Sequence, residues 1–352
     1  MGLQTIGIVG AEGLGAGIAQ ICVQSGLEVL LVDDTEEILG EAEDRILRGL
    51  QRAEQPAAFS LMRKATRLDR LESCDLIVEV GSEAPEAKQD LLRRIDSRVP
   101  PSTVLAVQTA ALPVHIVARA VENPDRVVGV HFFAPAHIAK LVEVVHYEHA
   151  SENALRTAMD FVGKLGKIGV RCKDKPGFVV NRVARPLYLT AMRLLEKGGG
   201  TPATIDAALR NLGGFPAGPF QMVDFFGLEN DFAVSEIVYQ LLAQPERLKP
   251  ARVEEKLLAH GCRGYANRRG FYVYGDNLSG AANPLLEELV EGYGGAPATP
   301  PEVLEEVLKA VFAEAHVAAG EGIASKEDID VAMQAGLHWP KGPFAWERER
   351  SR

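Results

Sequence analysis

"VGAEGLGAGIAQ", residues 9–20, is the stretch on which the reading of the whole chain turns. It follows the apolar run "TIGIV" at 5–9, which suits a buried parallel strand. It opens a segment, 13–26, in which Leu14, Ile18, Ile21 and Cys22 mark one face of a helix. A glycine-rich turn between such a strand and helix gathers backbone N–H groups at a helix N-terminus, a natural seat for phosphate. The spacing approaches G-x-G-x-x-G, with Gly10 and Gly15 in place and Glu12 standing where the middle glycine belongs. Asp33 ends a second apolar run, "EVLLVDD", 18 residues after Gly15. An acid there accepts hydrogen bonds from ribose hydroxyls and repels a 2′-phosphate, so the unit points to NAD over NADP, with Asp34 adding to the bias. Gly10, Gly13, Leu14, Gly15 and Asp33 are the cofactor-binding candidates of this stretch. A carboxylate at position 12 repels a pyrophosphate by ~1 kcal/mol or more per close charge pair unless it turns to solvent or meets a base such as Arg45 or Lys64. Weakened cofactor binding, rather than lost binding, is the expectation.

The same alternation continues outward. "LIVEV" (76–80), "TVLAVQT" (103–109), "RVVGVHFF" (126–133) and "KLVEVV" (140–145) repeat the strand signal, mostly with helical segments between them. That pattern predicts an α/β, Rossmann-type doubly wound sheet over residues 1–174, with ligands at the carboxyl ends of the strands. Past "KDKPGFVVNR" (173–182), whose Pro-Gly marks a boundary, long amphipathic helices take over. Within them "TPATIDAALRNLGGFPAGPF" (201–220) recurs as "SKEDIDVAMQAGLHWPKGPF" (325–344). Gly198 matches Gly322, Ile205 matches Ile329, Asp206 matches Asp330 and Phe215 aligns with Trp339, all at an offset of 124. The second half therefore reads as an all-α C-terminal domain, 175–290, followed by a truncated second copy of its helical unit, 301–352. The stretch "SGAANPLLEELVEGYGGAPATPPE" between them reads as a linker.

With 47% hydrophobic and 24% charged residues among 352, the composition is that of a soluble globular protein. A net charge of −10 offers no electrostatic footprint for nucleic acid or an anionic membrane. Four cysteines without a C-x-x-C read as thiols in a reducing compartment and not as a metal or disulfide framework. Neither a leader pattern nor an apolar run near the ~18 residues of a membrane span is found, so a cytoplasmic protein is expected. Seven of the eight histidines share no metal-ligand spacing and read as structural or solvent-exposed; His131, alone inside an apolar strand, would by itself read as a core histidine.

"GIVGAEGLGAGIAQ", "LIVEVGSEAPEAK", "RVVGVHFFAPAHIAKLVEVV", "DKPGFVVNR" and the repeated "ID-x-A…P-x-GPF" together resemble the L-3-hydroxyacyl-CoA dehydrogenase family, over nearly the whole chain. The resemblance implies NAD-dependent oxidation of a 3-hydroxyacyl-CoA to the 3-oxoacyl-CoA, or the reverse reduction. It makes His131 the base that takes the hydroxyl proton, Glu143 the carboxylate that orients it, and Asn181 a residue that positions the substrate oxygen. It places Glu83 and Lys88 near the nicotinamide end of the cofactor site. The residues agree independently for one pair: "VVGVHFF" and "KLVEVV" read as adjacent strands joined by a short loop, which can bring positions 131 and 143 together.

The chain departs from the family pattern at several places. Ala110 and Ala111 stand where the family carries serines, and Ala134 where it has asparagine after "HFF". The segment between Asp33 and Cys74 is shorter than the family's helical arm for the CoA nucleotide; its Arg63, Lys64 and Arg67 read as a solvated face. These departures keep two alternatives open: a weakened or inactive paralogue that binds nucleotide or acyl-CoA, and a dehydrogenase of a 3-hydroxy acid without CoA. The duplicated tail leaves two more, an ordinary homodimer through the helical domain or a second copy that covers the first within one chain.

Overall fold

The computed structural model describes residues 3–276 and 280–351, and its chain divides into two compact units, one ending at Phe178 and the other beginning at Val179. The first unit opens with β1 (Thr5–Val9), α1 (Gly13–Gln24), β2 (Glu28–Val32), α2 (Glu36–Arg52) and β3 (Met62–Ala65). β4 (Leu76–Glu79), α3 (Pro85–Asp96), β5 (Val104–Gln108), α4 (Val114–Ala118) and β6 (Val127–Phe132) follow. β7 (Leu141–His146), α5 (Glu152–Lys164) and β8 (Ile168–Lys173) complete it.

These strands form one sheet in the order β3-β2-β1-β4-β5-β6-β7-β8. All neighbours pair in parallel except β6 and β7, which are antiparallel. The order reverses between β1 and β4, so a crevice opens beyond their carboxyl ends. The central strands are buried along their whole length, as strands covered by helices on both faces must be. Two strands, β3 and β8, lie at the edges and were not expected. "MRKA" is half exposed, and "IGVRCK" buries only Val170 and Cys172 while its charged residues face water. Edge strands need one buried face at most and carry charge against unwanted pairing, so their apolar signal is faint.

The second unit contains α6 (Val180–Glu196), α7 (Pro202–Gly213), α8 (Pro219–Phe226), α9 (Leu228–Leu241) and α10 (Arg252–Ala259). A short hairpin of β9 (Tyr272–Tyr274) and β10 (Gly280–Ala282) comes next, then α11 (Leu285–Leu289), α12 (Pro300–Gly320), α13 (Lys326–Leu337) and α14 (Pro343–Arg350). The unit is therefore not purely helical, and part of the expected linker is structured: β10 pairs with β9, and the Asn283 amide is buried against the Gly270 carbonyl. The first residue of that expected linker, Ser279, lies outside the described residues.

The repeat is physical. Asp206 accepts from the backbone N–H groups of Phe220 and Gln221 at 3.0 and 3.2 Å, and Asp330 does the same for Phe344 and Ala345 at 2.8 and 2.9 Å. Each aspartate thus satisfies the open N-terminus of the helix after its turn. Thr201 and Ser325, also equivalent, cap α7 and α13. The equivalent aromatics Phe215 and Trp339 pack edge to face, 5.4 Å between centroids. At the same offset α12 is the counterpart of α6, and the two helices pack along one another.

Charge is also buried here. Arg185 of α6 donates to Asp231 of α9 at 2.7 Å and to Ser235 at 3.0 Å. Glu254 of α10 has no exposed surface, and neither of its oxygens has a donor among the described residues. Burial, and then the negative charge of Asp231, push its carboxyl well above the ordinary carboxylate value, with Arg185 pulling the other way and Asp224 adding repulsion. Glu254 is therefore harder to ionise in the folded chain than in the unfolded one.

Two outcomes follow from this architecture. A raised folded pKa gives stability that is complete below the unfolded value of about 4.3 and drains away as pH rises through the folded value. Glu254→Gln keeps a neutral donor there, so its melting temperature should lose less than the wild type's as pH rises; parallel melting curves across pH would contradict a protonated Glu254. Removing residues 300–352 should uncover the faces of α6 and α7 that pack on α12, and it removes buried side chains such as Val303, Val307 and Val311, at about 1.5–3 kcal/mol for each side chain. Aggregation, or a much lower melting temperature, is the expected result; a truncated chain that stays soluble and equally stable would contradict it.

Candidate active site

The turn at 10–15 is shaped by backbone approach. Gly10 has φ +105°, and a Cβ on Gly15 would fall 1.9 Å from the Gly10 carbonyl oxygen, so no other residue fits position 15. Position 12 has no such requirement: Glu12 caps α1 with extended backbone, φ −71° and ψ 154°. Its side chain is exposed, and the bases named as partners are elsewhere. Lys64 is 2.5 Å from Glu43 and 3.4 Å from Glu36, and no contact joins Arg45 to Glu12. Arg67 pairs with Asp69 at the surface.

Asp33 ties the turn to β2. Its carboxylate accepts from the Ala11 N–H at 2.6 Å and from the Asp34 N–H at 2.7 Å. A carboxylate has room for about four donors, so acceptor capacity remains. Gly10, Glu12, Asp33, Asp34, Val80 and Ser82 help to line a cleft of about 810 Å³ in the first unit. Gly13, Leu14 and Gly15 form the first turn of α1, with Leu14 half-buried against the core. The glycine cradle, the N-terminus of α1 and the acid at the end of β2 fit a dinucleotide, and Glu12 is a carboxylate at the turn itself, where phosphate would rest.

Glu83 and Lys88 do not pair with each other. Lys88, on α3, is fully buried; it donates to Glu79 at 2.9 Å and to the Gln108 carbonyl at 2.7 Å. Burial pushes Glu79 above the ordinary carboxylate value, opposed by Lys88 and by the Gly81 N–H, which it accepts at 2.6 Å. Glu83 is exposed and holds the loop after β5, accepting from the Thr109 hydroxyl and the Ala110 N–H, each at 2.8 Å. Lys88 is thus a brace between α3 and the end of β5, and Glu83 orders the backbone at Ala110. The partner Glu79 was missed because a carboxylate within "LIVEV" reads only as a strand residue.

His131 and Glu143 meet as the strand reading expects. They are directly opposite in the antiparallel β6–β7 pair, and the imidazole Nδ1 lies 2.6 Å from Glu143 Oε2. Directly opposed side chains on one face of a sheet are neighbours, so the pairing follows from register. Glu143 has no exposed surface and His131 only 5%. With Nδ1–H donating to the carboxylate, Nε2 carries the lone pair and can take a proton. The ring lies 4.2 Å from Phe133 and 6.0 Å from Phe178, centroid to centroid, which limits its orientation. Lys167 pins the loop after Ala134, donating to the carbonyls of Ala136 at 2.7 Å and Ala139 at 2.5 Å. Asn181 belongs to the second unit, in the first turn of α6.

Comparison with known proteins shows the family. A family model described as the NAD binding domain of 3-hydroxyacyl-CoA dehydrogenase matches residues 5–175. The model of that family's C-terminal domain matches residues 177–274 and 303–349. The chain is 31% identical to a 3-hydroxyadipyl-CoA dehydrogenase of Escherichia coli, over 98% of this chain and 90% of the relative. It is 34% identical to the mitochondrial hydroxyacyl-coenzyme A dehydrogenase of Sus scrofa, over 76% of this chain and 90% of the relative. Among solved structures, a 3-hydroxybutyryl-CoA dehydrogenase from Escherichia coli matches with a TM-score of 0.89 at 29% identity, covering 99% of this chain and 92% of that one. No helix among the described residues is long and apolar enough to cross a membrane. From its nucleotide turn to its second helical copy, the chain belongs to the 3-hydroxyacyl-CoA dehydrogenase family.

Proposed function

We propose that the protein oxidises the C3 hydroxyl of a 3-hydroxyacyl-CoA, or reduces the corresponding ketone, with His131 as general base. The observation that supports this reading is the 2.6 Å contact between His131 and a fully buried Glu143, which leaves Nε2 to exchange a proton with the substrate hydroxyl. NAD, when bound, supplies the hydride acceptor. Gly10, Gly13, Leu14, Gly15 and Asp33 would hold it in the cleft of the first unit, while Lys88 and Glu83 brace the backbone around that cleft. Asn181 takes the role of positioning the substrate oxygen, and Phe133 and Phe178 keep the imidazole in one orientation.

Ala110 and Ala134 remove two polar side chains from this region, so the transition state relies more heavily on His131. Losing one donor aimed at developing charge costs ~10²–10³ in rate. We read the chain as a dehydrogenase of modest turnover for which the second copy, α12–α14, replaces cover that a partner subunit's helical domain would otherwise give.

The test is NADH oxidation with acetoacetyl-CoA. His131→Ala should lower kcat by ~10²–10⁴, the range of a general base, with NADH affinity preserved. Unchanged turnover in that variant would remove His131 from the chemistry. In a direct NADH titration Glu12→Gly should bind about fivefold more tightly, the factor that relief of ~1 kcal/mol of repulsion gives. Equal or weaker binding would show that the Glu12 carboxylate turns away from the phosphates.

A further inference from the structure

We infer that Glu314, on the helix added by the second copy, is a positioning residue: it holds Arg182, and through Arg182 the first turn of α6 that carries Asn181. The inference rests on the reading of Asn181 given above. Arg182 follows Asn181 directly and has no exposed surface. Its Nε donates to Glu314, itself 1% exposed, and its Nη2 and Nη1 donate to Glu321 at 3.0 and 3.4 Å. Glu314 belongs to α12, and Glu321 is the residue that caps its C-terminus. Arg247 holds Glu314 from the other side, Nε to Oε2 at 2.6 Å. A planar guanidinium gripped along two edges has one orientation, and its fork carries that constraint to its own backbone.

The repeat shows that this contact is specific to one direction. At the offset of 124, Glu314 is equivalent to Thr190, Arg182 to the exposed Glu306, and Glu321 to Lys197. The helix of the first copy thus presents the cation, and the second copy supplies the anions, Glu314 from its helix and Glu321 from the C-cap that follows. α6 and α12 pack along one another, and α12 buries apolar residues such as Val307 and Val311. A buried ion pair adds little stability beyond what apolar side chains of the same volume give. What it does add is a fixed geometry, here beside Asn181.

The experiment uses the full chain with NADH and acetoacetyl-CoA as the probe substrate. Glu314→Gln should lower kcat by roughly 10- to 100-fold, as a displacement of about 1 Å remote from the chemistry does, with KM for NADH unchanged. Arg182→Met combined with Glu314→Met leaves no unpaired buried charge, so it should keep the wild-type melting temperature while kcat stays low. Wild-type kcat in the double variant, or in a folded Glu314→Gln, overturns the inference. Asn181→Ala, run beside them, separates the two ideas. Full kcat in Asn181→Ala means that the role of Asn181 was misread; lost kcat there with wild-type kcat in Glu314→Gln breaks only the link from α12.

Discussion

Charge taken out of water must be answered where it lies, and this requirement organises both units. Glu143 and Lys88 in the first unit, and Arg182 and Arg185 in the second, have 3% exposure or less. An isolated ion so placed costs far more than a single domain's stability can bear. Each therefore fixes a neighbour: Glu143 holds the ring of His131, which the register places opposite it, Lys88 ties α3 to β4 and β5, Arg182 ties α6 to α12, and Arg185 ties α6 to α9. Much of the precision of the candidate site derives from these pairs, while the apolar core supplies bulk cohesion.

How much of this was legible depended on whether the signal was local. The strand–turn–helix–strand–acid run at 5–33 declares a nucleotide site because backbone sterics at Gly10 and Gly15 admit little else. His131 and Glu143 could be paired in advance, since a short connection between two strands limits the register. The 124-residue repeat was visible because the same aspartate–turn contact recurs in both copies. The edge strands β3 and β8 were hidden by their charged residues, and the hairpin strand β10 by its Gly-Ala composition. Glu79 as the partner of Lys88, and Glu314 as the partner of Arg182, could not be foreseen: tertiary packing brings those residues together across 9 and 132 positions. The equivalence of α12 with α6 is implied by the offset of 124, although the two helices share little more than an apolar stripe.

The alanines and Glu12 take on a narrower meaning against this frame. None of them disturbs the fold: Glu12 sits in extended backbone, and the Ala110 N–H is held by Glu83 whatever the side chain. They alter the polarity of the cleft and its surroundings and leave the support beneath intact. A chain that had lost its activity would be under no physical demand to keep a fully buried carboxylate opposite a histidine, because an apolar pair would be the more stable filling.

The central claim is that Glu143 presets His131 as a base at Nε2. The direct measurement is the tautomer of the neutral imidazole, read from nitrogen chemical shifts in a two-bond proton–nitrogen correlation spectrum of the ¹⁵N-labelled full chain, with the resonance assigned by His131→Gln. The account predicts the proton on Nδ1, and loss of that preference in Glu143→Gln. A proton on Nε2 in the wild type would contradict it, since the ring would then have no lone pair to offer the substrate hydroxyl.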